Sequence, residues 1–376
     1  MNDSSSTSAV AINGEAAALA VDRAVDELRR GRAIHLAEHG ANGHGRGLVV
    51  AAVEAVPQSL LERLAATGAP VSLLMTPERA HALGLADGGG PAVAIPMPAS
   101  VTIDALRTLA GAGLERAAAP VDFAAADPRP PFAHVAAAGF RLAKAGRLLP
   151  ALVAIEAASP PDASLLSLGV ADVAAHALPA RPRLKRMSQS RVPLEDALDC
   201  ELALFRDEHG LGEHVAVLIG TPDLGGTVPV RLHSACLTGD LLGSLRCDCG
   251  EQLRRGVRRI AELGGGLLLY LDQEGRGIGL ANKLRAYALQ DGGLDTLDAD
   301  RRLGFLDDER TYDVAAALLR ELGVSRVELL TNNPQKIEAL RAHGIDVAGR
   351  VPLVGTMNSH NAQYLRAKRE RAGHLD

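Results

Sequence analysis

Short apolar runs, each cut off by glycine or proline and followed by a stretch with helical spacing, recur along this 376-residue chain. Strand-like runs fall at 33–37, 47–53, 71–75, 152–155, 228–232, 267–271 and 327–330. Helical spacing is read at 15–30, 57–67, 133–145, 281–289 and 310–322. Thr76-Pro77-Glu78 opens a further helix with an N-cap, a proline at the first helical position and a favourable acid. Such alternation predicts an α/β (α+β) fold. At roughly 150 residues per domain the length predicts two mixed α/β domains. Boundaries are placed at 15–177 and 193–376, with a linker at 178–192 and a Ser-rich segment at 1–14 expected to be disordered.

Composition narrows what such domains can do. Aromatic residues are 2% of the chain and Trp is absent, so the cores must be built from Ala, Val, Leu and Ile. That poverty argues against a platform for stacking bases. Lys and Arg number 40 against 45 Asp and Glu, a net charge of −5, so no global basic field draws nucleic acid or a membrane surface. The basic run Arg181-Pro-Arg-Leu-Lys-Arg lacks aromatic support and reads as a solvated hinge. No run approaches the ~18 apolar residues of a membrane span. The N-terminus lacks the charged start and apolar stretch of a signal peptide, so a cytoplasmic protein is expected. Four cysteines make a secreted disulfide scaffold improbable.

Three of those cysteines, Cys236, Cys247 and Cys249, cluster as C-x10-C-x-C. Thiolates are soft ligands that suit Zn²⁺, and three of them leave a fourth position open for water. Zinc lowers the pKa of bound water to about 7. Arg246, beside Cys247, also favours thiolate. The alternative is a closed structural site that recruits Cys200. That residue sits in the strand-like Leu198–Phe205 run, where a buried small hydrophobe is the simpler role.

Two strand-to-helix turns flank this cluster in sequence. Gln273-Glu-Gly-Arg-Gly-Ile-Gly-Leu follows the 267–271 run and can present backbone N–H groups and Arg276 to phosphate. Thr331-Asn-Asn-Pro-Gln-Lys follows 327–330, with Pro334 in the first helical turn. Asp307-Asp-Glu-Arg is read as opening the helix 310–322, either as capping acids or as a reactive acid–arginine pair. A thiolate metal site with phosphate-friendly turns and several arginines fits hydrolysis of a nucleotide.

Four segments carry a resemblance: HSACLTGDLLGSLRCDCG (233–250), YLDQEGRGIGLANKLRAYALQD (270–291), DTLDADRRLGFLDDERTYD (295–313) and LLTNNPQKIEAL (329–340). Together they closely resemble GTP cyclohydrolase II from about residue 190 to the C-terminus. The resemblance implies hydrolysis of GTP to formate, pyrophosphate and a 2,5-diamino-6-ribosylamino-pyrimidinone phosphate, an entry step of riboflavin synthesis. It implies one Zn²⁺ per subunit, Mg²⁺ with the GTP phosphates, and a homodimer. Carried over by position, Cys236, Cys247 and Cys249 are the zinc ligands. GTP contacts fall at Arg231, Leu232, His233, Ser234, Ala235, Gln252, Glu274, Gly275, Arg276, Thr296, Thr331 and Lys336. Asp308 matches a proton acceptor, Arg310 a residue acting at the α-phosphate, and Tyr287 an active-site tyrosine. An arginine nucleophile is chemically hard, because guanidinium keeps its proton, so electrostatic stabilisation is the expected role of Arg310. The chain departs from many relatives at Ala235, where they carry Glu, and at Asp272.

The first half, at 24–36, 48–56 and 76–85, resembles 3,4-dihydroxy-2-butanone 4-phosphate synthase. That chemistry needs an acidic loop for Mg²⁺. Here 37–46 offers only Glu38, and 136–141 reads Ala-Ala-Ala-Gly-Phe-Arg, so a degenerate, inactive domain is expected. Three alternatives stay open: a paralogue acting on another base or stopping at a partial reaction, a bifunctional enzyme, and a zinc scaffold without turnover.

Overall fold

A computed structural model describes residues 4–38, 46–85, 89–98, 100–112, 126–176, 182–207 and 212–362, together with 366, 370, 371 and 373, and side chains from residue 15 on. Contacts divide it into two compact units, 1–179 with 284–307, and 180–283 with 308–376.

The first unit runs α1 (Ser4–Arg29), β1 (Ile34–Ala37), β2 (Gly47–Ala52), α2 (Gln58–Ala66), β3 (Ser72–Met75), α3 (Pro77–Ala82), β4 (Val93–Pro96), α4 (Ile103–Ala110), α5 (Ala133–Ala145), β5 (Ala151–Glu156), β6 (Ser167–Gly169) and α6 (Val170–His176). Its six strands lie in the order β4-β3-β5-β2-β1-β6, antiparallel except for the β1–β6 pair. Every residue of β2 is buried, because helices cover both faces of the sheet. On one face Val21, Leu28, Val135 and Leu142 of α1 and α5 pack on Leu36, Leu48 and Val50. On the other, Leu61 and Leu106 of α2 and α4 pack on Val49, Leu73 and Val153. Thr76 caps α3 as its sequence predicts, accepting from the Arg79 N–H at 3.5 Å. The segment expected to be disordered is helical from Ser4, and residues 1–3 lie outside the described positions. Most of the 37–46 loop is also outside them.

The second unit runs β7 (Leu184–Arg191), β8 (Cys200–Asp207), β9 (Glu213–Gly220), β10 (Val228–Ser234), α7 (Cys249–Glu262), β11 (Gly265–Leu271), α8 (Leu280–Asp291), α9 (Thr296–Arg302), α10 (Asp313–Glu321), β12 (Arg326–Leu330), α11 (Pro334–Ala342) and β13 (Asp346–Val351), with α9 and most of α8 lying in the interval that packs with the first unit. Seven strands lie in the order β13-β12-β10-β11-β9-β8-β7. The β11, β10, β12 and β13 half is parallel, and the remainder is antiparallel. Leu318 of α10 and Leu340 of α11 pack on one face with Val230 and Leu329. Val257 and Ile260 of α7 pack on the other with Val217 and Leu268.

The stretch read as a linker at 178–192 contains β7, an edge strand whose residues after Leu184 are all exposed. Beyond Leu184 its side chains bury nothing, so it carries no alternation to read. The helix expected at 310–322 starts at Asp313, leaving Asp308 and Arg310 on the loop before it.

The parallel half positions the site. From β10 the chain crosses through α7 to β11 on one side. From β12 it crosses through α11 to β13 on the other. The carboxyl ends of the neighbours β10 and β12 therefore flank the point where the connections diverge, which is where open α/β sheets take their ligands.

Candidate active site

Strand β10 ends at Ser234, and the cysteine cluster begins two residues on. The Sγ atoms of Cys236, Cys247 and Cys249 lie within 4.8 Å of one another, with Cys236 and Cys247 3.8 Å apart. Two glycines make room for the cluster. A Cβ at Gly239 would stand 2.7 Å from the Cys247 sulfur and 3.1 Å from that of Cys236, so the space between the sulfurs exists only because this residue has no side chain. A Cβ at Gly250 would collide with the Gly239 carbonyl. Three soft donors around a cradle that one methyl group would fill are the right set for Zn²⁺ with an open fourth position. Cys200 lies apart, donating its thiol to the Ala197 carbonyl at 3.1 Å within an apolar cluster, so it is no fourth ligand. Burial pushes its thiol pKa up.

The turn carrying Cys236 is tied down from below. The Asp240 carboxylate accepts from the Cys236 backbone N–H at 2.9 Å and from the Tyr270 hydroxyl at 3.0 Å. It also meets His233 Nε2 at 3.1 Å. His233 stacks on Tyr270 with ring centroids 5.5 Å apart. Burial pulls the His233 pKa down, with Asp240 opposing. Neighbouring thiols, Cys247 first, then Cys249, and the Lys283 ammonium hold the Cys236 thiol far below the ordinary cysteine range. Cys247 is pushed up by the adjacent Cys236 sulfur.

Ser234 joins this cluster to a cationic group. Its hydroxyl donates to Gln273 Oε1 at 3.3 Å and accepts from Arg310 Nη1 at 3.5 Å. Arg310 in turn grips Asp308 with two parallel hydrogen bonds, Nε to Oδ1 at 2.8 Å and Nη2 to Oδ2 at 2.5 Å. Burial alone would raise the Asp308 pKa, but the Arg310 hydrogen bonds and charge outweigh it and hold the carboxyl below its usual range. The Gly-rich turn after β11 stands alongside. Arg276 adopts a left-handed backbone at φ 61°, a conformation non-glycine residues accept at some cost. Its carbonyl accepts from the Glu309 N–H at 3.1 Å.

At the end of β12, Asn333 caps α11 by accepting from the Gln335 N–H at 2.9 Å, with Pro334 in the first turn as its sequence predicts. Thr331 accepts from the Asn333 N–H at 3.0 Å. Lys336 is buried and donates to the Leu232 carbonyl at 2.7 Å, crossing from α11 to β10. Arg231 donates to the Leu330 carbonyl at 2.9 Å and to Gln252 Oε1 at 2.7 Å. Burial pulls its pKa down to about 10. Tyr312 lies beneath the cations Arg310 and Lys336, each 5.9 Å from its ring centroid. Burial pushes the Tyr312 hydroxyl up to about 12. That hydroxyl and His233 Nδ1 are buried without a partner among the described residues.

The second unit thus gathers Arg231 to Cys236, Cys247, Cys249, Gln252, Glu274 to Arg276, Asp308, Arg310, Thr331 and Lys336. Tyr287 on α8 and Thr296 on α9 sit instead on the 284–307 segment, which packs as part of the first unit. Leu232 buries its side chain in the core and offers only its carbonyl. Glu274 has its carboxylate engaged internally, by Lys283 at 2.8 Å and the Leu237 N–H at 2.6 Å. The sequence reading missed Asp240, Lys283 and Tyr312, which each follow a singled-out motif residue by a few positions and act by supporting it, and it gave Gln273, the first residue of the Gly-rich motif, no role at the site. In the first unit, Glu38 pairs with His134 at 2.7 Å, and Ala136, Ala138 and Phe140 are packed into the core.

The family model of GTP cyclohydrolase II matches residues 185–352. A GTP cyclohydrolase-2 of Azospirillum brasilense is 43% identical over 100% of this chain and 98% of its own length. One from Xylella fastidiosa is 42% identical over 96% of this chain and 88% of its own. One from Azotobacter vinelandii is 55% identical over 46% of this chain and 82% of its own. A solved two-domain 3,4-dihydroxy-2-butanone 4-phosphate synthase from A. baumannii shares 18% identity at a TM-score of 0.31, covering 89% of this chain and 99% of that one.

Proposed function

The chain belongs to the GTP cyclohydrolase II family, and from that premise we propose that it opens the guanine ring of GTP in the crevice at the carboxyl ends of β10 and β12. The products are formate, pyrophosphate and the diaminopyrimidinone phosphate, which feeds riboflavin synthesis. One observation carries the reading: Ser234 holds Arg310 at 3.5 Å while standing two residues from Cys236, so a phosphate-binding cation and a soft metal site share one strand end.

Cys236, Cys247 and Cys249 would hold Zn²⁺, which would supply the Lewis acidity that lowers the pKa of a water for attack at C8 of the base. The protein's own groups do the rest. Asp308 fixes Arg310 by its bidentate pair, so the guanidinium meets the α-phosphate without reorganising. Arg310 acts by charge and not by covalent attack, since guanidinium does not give up its proton. Arg276, on its strained turn, and Lys336 add positive charge against the triphosphate, alongside Mg²⁺ bound with the phosphates. Arg231 and Gln252 brace the floor of the crevice, and Thr331 closes its β12 side. Among the described residues no helix is long and apolar enough to cross a membrane. We place the reaction in the cytoplasm and in a homodimer.

The test is to incubate zinc-replete protein with GTP and Mg²⁺ and to quantify formate, pyrophosphate and pyrimidine. A Cys247→Ser variant runs alongside. All three products are expected from the parent and none from the variant. Pyrophosphate without formate would replace this reading with a divergent paralogue, for which Ala235 is the first residue to restore. No turnover with zinc bound would leave a scaffold.

A further inference from the structure

Lys283, in the first turn of α8, lies beneath the cysteine cluster. It is 8% exposed. Each of its three ammonium hydrogens has an acceptor: Cys236 Sγ at 3.0 Å, Thr238 Oγ1 at 2.9 Å and Glu274 Oε1 at 2.8 Å. Glu274 is itself fixed, because its other oxygen accepts from the Leu237 backbone N–H at 2.6 Å. Carboxylate, ammonium and sulfur therefore form one buried chain that ends on a thiolate. A buried lysine is costly to hold unless every hydrogen is used, and here the sulfur receives one of the three.

We propose that Lys283 is a positioning residue of the metal site, aimed by Glu274 and Thr238, which fixes the Cys236 sulfur and offsets the mutual repulsion of three thiolates. The proposal rests on the zinc reading given above. A cation donating to a ligand sulfur draws electron density from it, so the sulfur gives less charge to the metal and leaves it a stronger Lewis acid. Removing the ammonium loosens the ligand and returns that charge.

The test compares zinc-loaded full-length protein with Lys283→Arg, Lys283→Met and the double variant Lys283→Met/Glu274→Gln. Zinc affinity is read by competition with a chromogenic chelator. The Co²⁺-substituted proteins are read by their sulfur-to-metal charge-transfer bands. Lys283→Met is expected to bind zinc about 10- to 100-fold more weakly, as for other outer partners of metal ligands. Its Co²⁺ band is expected to move to lower energy, and Lys283→Arg to recover part of both effects. The double variant removes both charges, so it folds without an orphaned carboxylate and still shows the weakened affinity and shifted band. Parent-like zinc affinity and an unmoved band in the double variant would overturn the proposal even if Lys283→Met failed to fold. A parent protein that takes up no zinc would overturn the zinc reading itself, a result visible without any variant.

Discussion

Asp308 and Arg310 act as one unit, because a planar guanidinium and a carboxylate joined by two hydrogen bonds share a fixed plane. Both side chains are mostly buried, at 22% and 14% exposure, so their pairing is screened less than a surface ion pair. The pairing has a pH signature. The folded carboxyl titrates below the ordinary value of 3.8, with burial opposing and Arg310 outweighing it. A depressed carboxyl contributes stability that is complete above its unfolded value and is lost as pH falls through its lower folded value. Denaturant midpoints of the parent and Asp308→Asn, measured from about pH 7 to about pH 2.5, are therefore expected to differ by a constant gap down to about pH 4 and to converge below it. A gap that widened on acidification would show that Asp308 is not held ionised by Arg310.

At the scale of elements, the 308–310 loop is set by how closely one turn approaches another. Gly277 ends the 3-10 turn Glu274–Gly277 with φ at 94°. A Cβ there would come within 3.0 Å of the Glu309 carbonyl carbon and oxygen and 3.3 Å of the Arg310 nitrogen. Gly277→Ala adds left-handed strain of about 1–3 kcal/mol and pushes the 308–310 loop off Ser234. The expected result is a fall in kcat with zinc content unchanged, read by steady-state kinetics beside metal analysis. Unchanged kcat would mean that the loop does not need this contact. The glycines of this turn were legible as a strand-to-helix connection, and so was the capped start of α11, because local chemistry fixes both. The parallel strands β10, β11 and β12 were legible for a similar reason, being continuous apolar runs. What local pattern cannot carry was missed. β7 buries only Leu184 and so has no period, and Lys283 reads as an ordinary helical lysine until the fold places Cys236 against it. The placement of Tyr287 and Thr296 escaped for another reason: it depends on contacts between residues more than two hundred positions apart.

At the scale of the molecule, those contacts tie an interval of the family-matched region into the first unit. The family match covers 185–352, yet 284–307 packs with 1–179. Thr76 donates to the Gly304 carbonyl at 2.8 Å. Arg79, 3% exposed, spreads its guanidinium over the carbonyls of Leu109, Thr108 and Arg302. Arg285 pairs with Glu54 at 2.8 Å, and Phe305 is buried to 1%. A segment held by buried hydrogen bonds and an aromatic anchor opens when its host opens, since cooperative unfolding units follow contacts and not sequence order. The first unit therefore completes its fold only with residues drawn from the second half of the chain. Seating this interval is thus a structural role of the first unit. Hydrogen exchange of the full chain in mild denaturant is the measurement. Amides of 297–305 are expected to lose protection together with β2 and β5, and Arg79→Ala to speed exchange in both groups while β10 and β11 keep their rates. If 297–305 instead followed β10 and β11 and ignored Arg79→Ala, the segment would belong energetically to the second unit, and seating it would not be a role of the first.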